Sequence, residues 1–365
     1  MLFGNLKLKR DFNNALKLEN NGNYERASEI FESLIKKNYK VVESYFHLSK
    51  NFYEMKKFER SLIYIDKYLN INPTDINGLT EKSLSLMKLK RFEEALNILN
   101  ENLNNDFNNP IVFNIKGTIF YEQQKFEEAL NYYKKAYNLD KENISYLNNL
   151  SMTFDKLKRF NKALKCCDKG LSLNPSHYSL LFGKAFILSE LKRFDDALNV
   201  YDEILKNDKN NYKVLFNKGN ILFKKGYYKE TLSYYNQALD LDPDNLNIMI
   251  SIGFVLDNMK CYDEALEVYN KCLNLDSENG DVFNNIGEIY YHQKKYEKAL
   301  EYYNKALDFD SDDIFILNNK LNVLYELDRF DEALKICNSI LDMKNNDNNA
   351  LKCRDRILKK IKNDM

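Results

Sequence analysis

The sequence predicts an all-α fold, an α-solenoid of antiparallel helix pairs, and three observations carry the prediction. Alanine recurs on a 34-residue interval at Ala27, Ala95, Ala129, Ala163, Ala197, Ala265, Ala299 and Ala333, with the small residues Ser61 and Thr231 in the two remaining slots. An aromatic residue stands three positions before every slot: Tyr24, Phe58, Phe92, Phe126, Phe160, Phe194, Tyr228, Tyr262, Tyr296 and Phe330. The ten units follow one another without an insertion or a deletion. A period of this length marks units that cannot bury an apolar face alone and stack to build one continuous core.

With the periodic alanine as position 20, the repeats begin at Leu8, Val42, Ile76, Pro110, Ile144, Tyr178, Tyr212, Leu246, Gly280 and Ile314. Repeat nine shows each element in turn. Phe283, Ile286, Ile289 and Tyr290 fall on one face at helical spacing and define a first helix, A. The polar run HQKK breaks it, and Tyr296, Ala299, Leu300, Tyr303, Ala306 and Leu307 define a second helix, B. Asp, Asn, Ser or Pro then closes the repeat, as turns and helix N-caps require. Small residues at position 8 (Ala15, Gly117, Ala185, Gly219, Gly253 and Gly287) face position 20 and let the two axes approach. Residues 1–7 form an N-terminal lead-in, residues 8–347 a single solenoid domain, and residues 348–365 a C-terminal capping helix. That last segment sets Ala350, Leu351, Ile357, Leu358 and Ile361 on one side and keeps a polar outer face, as the end of an array needs.

The bulk numbers agree and exclude several classes of function. Of 365 residues, 44% are hydrophobic, and 54 basic side chains balance 54 acidic ones, so no bulk charge attracts nucleic acid or an anionic membrane. Eleven glycines and four prolines exclude a linker-rich or disordered chain. The opening MLFGNLKLKR has no apolar signal core, and no run of about 18 apolar residues occurs, so a cytoplasmic protein with no membrane contact is expected. Six cysteines form no CxxC pair, and Cys166 and Cys167 project about 100° apart on a helix, so small buried thiols in a reducing compartment are expected rather than a metal site. His47, His177 and His292 lie in separate repeats, and no nucleotide-binding, esterase or zinc-protease motif occurs. The run from Asp240 to Asn245 lacks the glycine of a calcium loop. No enzyme activity, cofactor or metal is expected.

Beyond the small residue at position 8, the aromatic at 17 and the alanine at 20, three further columns recur. Position 24 is tyrosine (Tyr133, Tyr201, Tyr235, Tyr269, Tyr303), position 27 is small (Ala136, Ala238, Ala306), and position 32 is proline (Pro73, Pro175, Pro243). The combined pattern resembles the tetratricopeptide repeat family. The resemblance implies a right-handed superhelix whose concave groove is lined mainly by A helices, with positions 2, 5, 6, 9, 12 and 13 facing it. It also implies a protein–protein interaction scaffold, or adaptor. Leu321 at position 8, and Leu34, Tyr68, Asn102 and Ile340 at position 27, depart from the pattern and predict less regular packing towards the ends.

Three features characterise those groove positions. Asn is 51 of 365 residues, so the twenty slots at positions 5 and 6 should hold about three; nine hold it. Eight of these, Asn114, Asn148, Asn149, Asn217, Asn284, Asn285, Asn318 and Asn319, are candidate contacts for the backbone of an extended peptide, because an amide offers both donors and an acceptor. Phe182, Phe186, Phe216, Phe223 and Phe254 are candidates for an apolar anchor site. Six lysines face eleven carboxylates across the groove positions, which disfavours a phosphate backbone and favours a neutral to basic segment. The basic clamp by which some family members hold an acidic chaperone terminus is absent, since position 5 carries no Lys and position 6 no Lys or Arg. The expected partner is another protein or peptide, with no nucleic acid. The alternative is a structural or self-associating subunit that uses its convex face, where Tyr64, Tyr132, Tyr234 and Tyr302 stand at position 23, or its ends.

Overall fold

All ten aromatic residues at position 17 start a helix. In the computed structural model, which describes residues 2–101 and 109–364, twenty-one helices and no strand occur among the described residues. They run α1 (Leu2–Asn20), α2 (Tyr24–Lys36), α3 (Val41–Glu54), α4 (Phe58–Leu69), α5 (Ile76–Lys88), α6 (Phe92–Glu101) and α7 (Pro110–Glu122). Then come α8 (Phe126–Leu139), α9 (Ile144–Lys156), α10 (Phe160–Leu173), α11 (Tyr178–Glu190), α12 (Phe194–Asn207), α13 (Tyr212–Lys224) and α14 (Tyr228–Leu241). The chain closes with α15 (Leu246–Asn258), α16 (Tyr262–Leu275), α17 (Gly280–His292), α18 (Tyr296–Leu307), α19 (Ile314–Glu326), α20 (Phe330–Met343) and α21 (Asn348–Asp364). Odd-numbered helices up to α19 are the A helices and even-numbered ones the B helices. From repeat three onward every A helix begins on the expected first position. Helix α1 is longer than expected, because residues 2–7 join it. The departure from pattern at Asn102 lies outside the described residues.

The junction chemistry explains those sharp starts. The side chain of position 34 accepts from the first turn of the next A helix at Asp75, Asn109, Asn143, His177, Asn211, Asn245, Asn279 and Asp313. Each such cap is worth about 1 kcal/mol. The periodic alanines are fully buried, as are the two exceptions. Ser61 satisfies its hydroxyl by bonding Ser49 Oγ at 2.9 Å and Ser85 Oγ at 2.8 Å, and Thr231 Oγ1 donates to the Tyr227 carbonyl at 2.8 Å.

The Ser49–Ser61 bond places position 8 against position 20 as the sequence suggests, but the glycines at position 8 answer to a second neighbour. A Cβ at Gly117, Gly219, Gly253 or Gly287 would lie 2.4–2.6 Å from the ring of Tyr133, Tyr235, Tyr269 or Tyr303 at position 24. The bulk of one residue requires the smallness of the other. Repeat ten inverts the pair, with buried Leu321 at position 8 and buried Cys337 at position 24. Helix α21 begins where an eleventh A helix would, packs on α19 and α20, and buries Ala350, Cys353 and Ile357.

The helices group into two compact units, Met1–Arg193 and Phe194–Met365, so that α11 belongs to the first and α12 to the second. Within each unit, lysines at position 7 tie consecutive repeats together: Lys82 to Asp66 at 2.8 Å and Lys184 to Asp168 at 2.6 Å in the first, Lys218 to Asp202 in the second. Such partly exposed pairs add at most about 1 kcal/mol each and act mainly on register.

Candidate functional site: an apolar cup and an amide row on the A helices

The groove positions of the second unit close around a hollow of about 300 Å³. Helix α13 contributes Asn220 and Phe223, α15 contributes Ile250, Ser251, Phe254 and Val255, α17 contributes Asn285, and Tyr235 of α14 reaches it from the B layer. Glycine at position 219 admits the Tyr235 ring, which packs on Phe216 at 5.0 Å and donates its hydroxyl hydrogen to Asn220 Oδ1. Val255 and Tyr235 are almost wholly buried, whereas Phe254 is 42% exposed and leans on Phe223 at a centroid distance of 5.6 Å. A half-exposed phenylalanine over a buried apolar floor leaves surface that gains on being covered. The volume is at the small end of ligand sites, which suits one side chain rather than a cofactor.

The asparagines divide into two groups. Asn149 Nδ2 donates to Asn114 Oδ1 at 2.9 Å, and Asn319 Nδ2 donates to Asn284 Oδ1 at 3.0 Å, so position 6 of one repeat bonds position 5 of the repeat before it. From the capping helix, Asn349 Nδ2 donates to Asn318 Oδ1 at 2.8 Å. Asn318 and Asn217 also donate to carbonyls one turn earlier in their own helices, and Asn148 donates to the Met152 thioether. The bonds between helices stitch neighbouring repeats together; the Asn149 –NH₂ keeps one further hydrogen, whereas Asn319 spends its second on Glu288. Asn285 differs, because its amide has no partner among the described residues and lines the cup.

The carboxylates gather on the same face. In the second unit His292 Nδ1 lies 3.1 Å from Oδ1 of the buried Asp257, and Asn319 donates to Glu288 Oε1 at 3.2 Å. Burial, reinforced by the charge of Asp257, pushes the Glu288 carboxyl up from its ordinary range. In the first unit His47 Nδ1 lies 3.0 Å from Glu19 Oε2, and Lys50 lies 3.8 Å from Glu19 Oε1. Burial, opposed by Lys50 and aided by Glu54 and Glu19, pushes Glu81 up to about 7.

Of the five candidate phenylalanines, Phe223 and Phe254 line the cup, and Phe216 supports it through Tyr235. Phe182 and Phe186 belong to the first unit, where Phe182 packs near Tyr178 at 5.9 Å and Phe186 is 40% exposed. Sequence reasoning missed Tyr235 and Asn220 as members of the site. Their signal is a glycine at position 8 paired with a tyrosine at position 24, followed by a polar residue at position 9. The position-23 tyrosines pack on rings of their own repeats, Tyr64 stacking on Phe52 at 5.4 Å, Tyr132 on Phe120 at 5.3 Å and Tyr302 lying 5.4 Å from Tyr290, and Tyr64 also donates to Glu32 Oε1 of the repeat before it at 2.9 Å. All are half-buried.

Family models described as tetratricopeptide repeats match residues 212–245 and 280–313, residues 117–152, and residues 144–177 and 246–279. No curated protein matches the chain by sequence. Among solved structures, yeast Tom70 aligns over 98% of this chain and 89% of its own at 16% identity and a TM-score of 0.55. A tetratricopeptide repeat protein from Parabacteroides merdae aligns over 67% of this chain and 97% of its own at 21% identity and 0.56. The human IFIT1 dimer with PPP-AAAA aligns over 95% and 89% at 17% identity and 0.57. At these identities the likeness concerns the fold. Among the described residues no helix is long and apolar enough to cross a membrane.

Proposed function

Because the chain belongs to the tetratricopeptide repeat family, we propose that it is a non-enzymatic scaffold that binds an extended segment of a partner protein along its A helices. The observation that carries this reading is the cup in the second unit, where apolar surface and one unpartnered amide stand side by side. An apolar side chain of the ligand would enter between Phe223 and Phe254, and Asn285 would hold the ligand backbone beside it. The remaining asparagines serve first as bonds that keep the wall rigid, which lowers the ordering that binding requires. A cytoplasmic location accords with this reading, since six free thiols stay reduced there.

An array of immobilised peptides, tiled with random and natural sequences, tests the proposal. Wild type and the variant Phe254→Ala/Asn285→Ala would be compared after circular dichroism has established equal helicity. The expected result is a reproducible subset of peptides held by wild type and lost by the variant. Identical retention by both proteins, or no retention by either, would overturn it.

A further inference from the structure

The cup has a charged neighbour on the same two helices. Asp257 lies three residues after Phe254 on α15, and Glu288 lies three residues after Asn285 on α17. Residues three apart share a helix face about one turn on, so each carboxylate stands roughly 5 Å along its own helix axis from the residue of that helix that lines the cup. Glu288 is half-buried, whereas Asp257 is buried. The two carboxylates repel, and the repulsion acts on Glu288 together with its desolvation. Among the described residues, the His292 imidazole and the Asn319 amide offset it. Neither is a permanent cation. An apolar seat beside an under-neutralised carboxylate pair is complementary to a side-chain pair of one kind.

Building on the peptide-binding reading, we infer that the second unit reads a two-residue signature in its ligand. A bulky apolar side chain occupies the Phe223–Phe254 cup, and a lysine or arginine within one or two residues of it is held by Glu288, with the buried Asp257 adding its charge. The Asn285 amide lines the cup one helical turn before Glu288 and takes the ligand backbone that joins the two subsites. The occupant is therefore a basic–apolar segment of another protein. An acidic segment is rejected, because it would bring like charge onto carboxylates already held out of water.

Fluorescence anisotropy with the full chain and labelled nine-residue peptides tests this. The peptides carry Phe–Lys, Phe–Ser, Phe–Glu or Ala–Lys at the centre of one Gly/Ser background. Wild type is expected to bind Phe–Lys about tenfold more tightly than Phe–Glu at low salt, with the ratio shrinking as salt is added. Glu288→Gln should bring that ratio below about threefold, and Phe254→Ala should weaken the phenylalanine peptides alike. Equal binding of Phe–Lys, Phe–Ser and Phe–Glu by wild type would overturn the signature while leaving the groove reading standing, and needs no variant to fold. Binding that survives Phe254→Ala would overturn the assignment to the cup. Binding of none of the four peptides at millimolar concentration would overturn both readings.

Discussion

At Glu81, position 6 of repeat three, the first unit holds a carboxyl group that its surroundings oppose. Its Oε1 is buried without a hydrogen-bond partner, and Glu54 and Glu19 add their charge against a single Lys50. The carboxyl is pushed up to about 7, so the folded chain binds this proton more tightly than the unfolded chain, whose value is about 4.3. A carboxyl raised in this sense adds no pH-dependent cost while protonated in both states, and it lowers stability progressively as pH rises from the unfolded value through the folded one. Glu81→Gln keeps the shape and removes the charge. The urea midpoint of the variant should therefore exceed that of wild type at pH 8 by more than at pH 5. An equal difference at both values would contradict this account of Glu81. Legibility at this scale is uneven. The asparagine excess at positions 5 and 6 is plain in the sequence, but the bonds of Asn149 to Asn114 and Asn319 to Asn284 span 35 residues, and only packed helices decide whether an amide faces its neighbour or a ligand.

Each A helix ends in the same way. Position 15 has a positive φ in all ten repeats, through Gly22, Lys56, Lys90, Gln124, Lys158, Lys192, Gly226, Lys260, Lys294 and Asp328. The next amide then reaches back to position 11, as Lys57 does to the Phe52 carbonyl at 2.8 Å and Arg159 to the Phe154 carbonyl at 2.8 Å, the bond that closes a helix with a left-handed residue. Glycine occupies only two of the ten sites. A side chain in this conformation costs about 1–2 kcal/mol, and glycine returns about half of that as unfolded-state entropy. Lys158→Gly should therefore raise the thermal midpoint, with a net gain of about 0.5–1 kcal/mol, while Lys158→Ala should not. A fall in midpoint for the glycine variant would refute the strain. The lysines retain one favourable term, since a cation beside a helix C-terminus meets its partial negative charge. Helix starts are legible because the aromatic at 17 and the capping side chain at 34 leave marks in composition. Position 15 is not, because lysine carries no preference that announces a left-handed turn. The fit of glycine at position 8 to tyrosine at position 24 is legible but easily overlooked, since it links two conspicuous columns by their volumes rather than by their spacing.

For the whole chain, a net charge of zero conceals a division of labour. Lys82, Lys184 and Lys218 at position 7 bond carboxylates between repeats, while the groove positions keep a carboxylate excess around apolar surface. The fold is almost wholly readable because ten copies of one pattern average away local ambiguity. The binding site is less so, because it arises in columns that vary from repeat to repeat: Phe254 and Glu288 share position 9, and Phe223 and Asp257 share position 12. The most direct test of the central claim is hydrogen–deuterium exchange on the full chain, with and without a saturating amount of the tightest peptide from the array. Slowed exchange in the groove-lining helices α13, α15 and α17, with the B helices unchanged, is the predicted result. Protection confined to the B helices would contradict it.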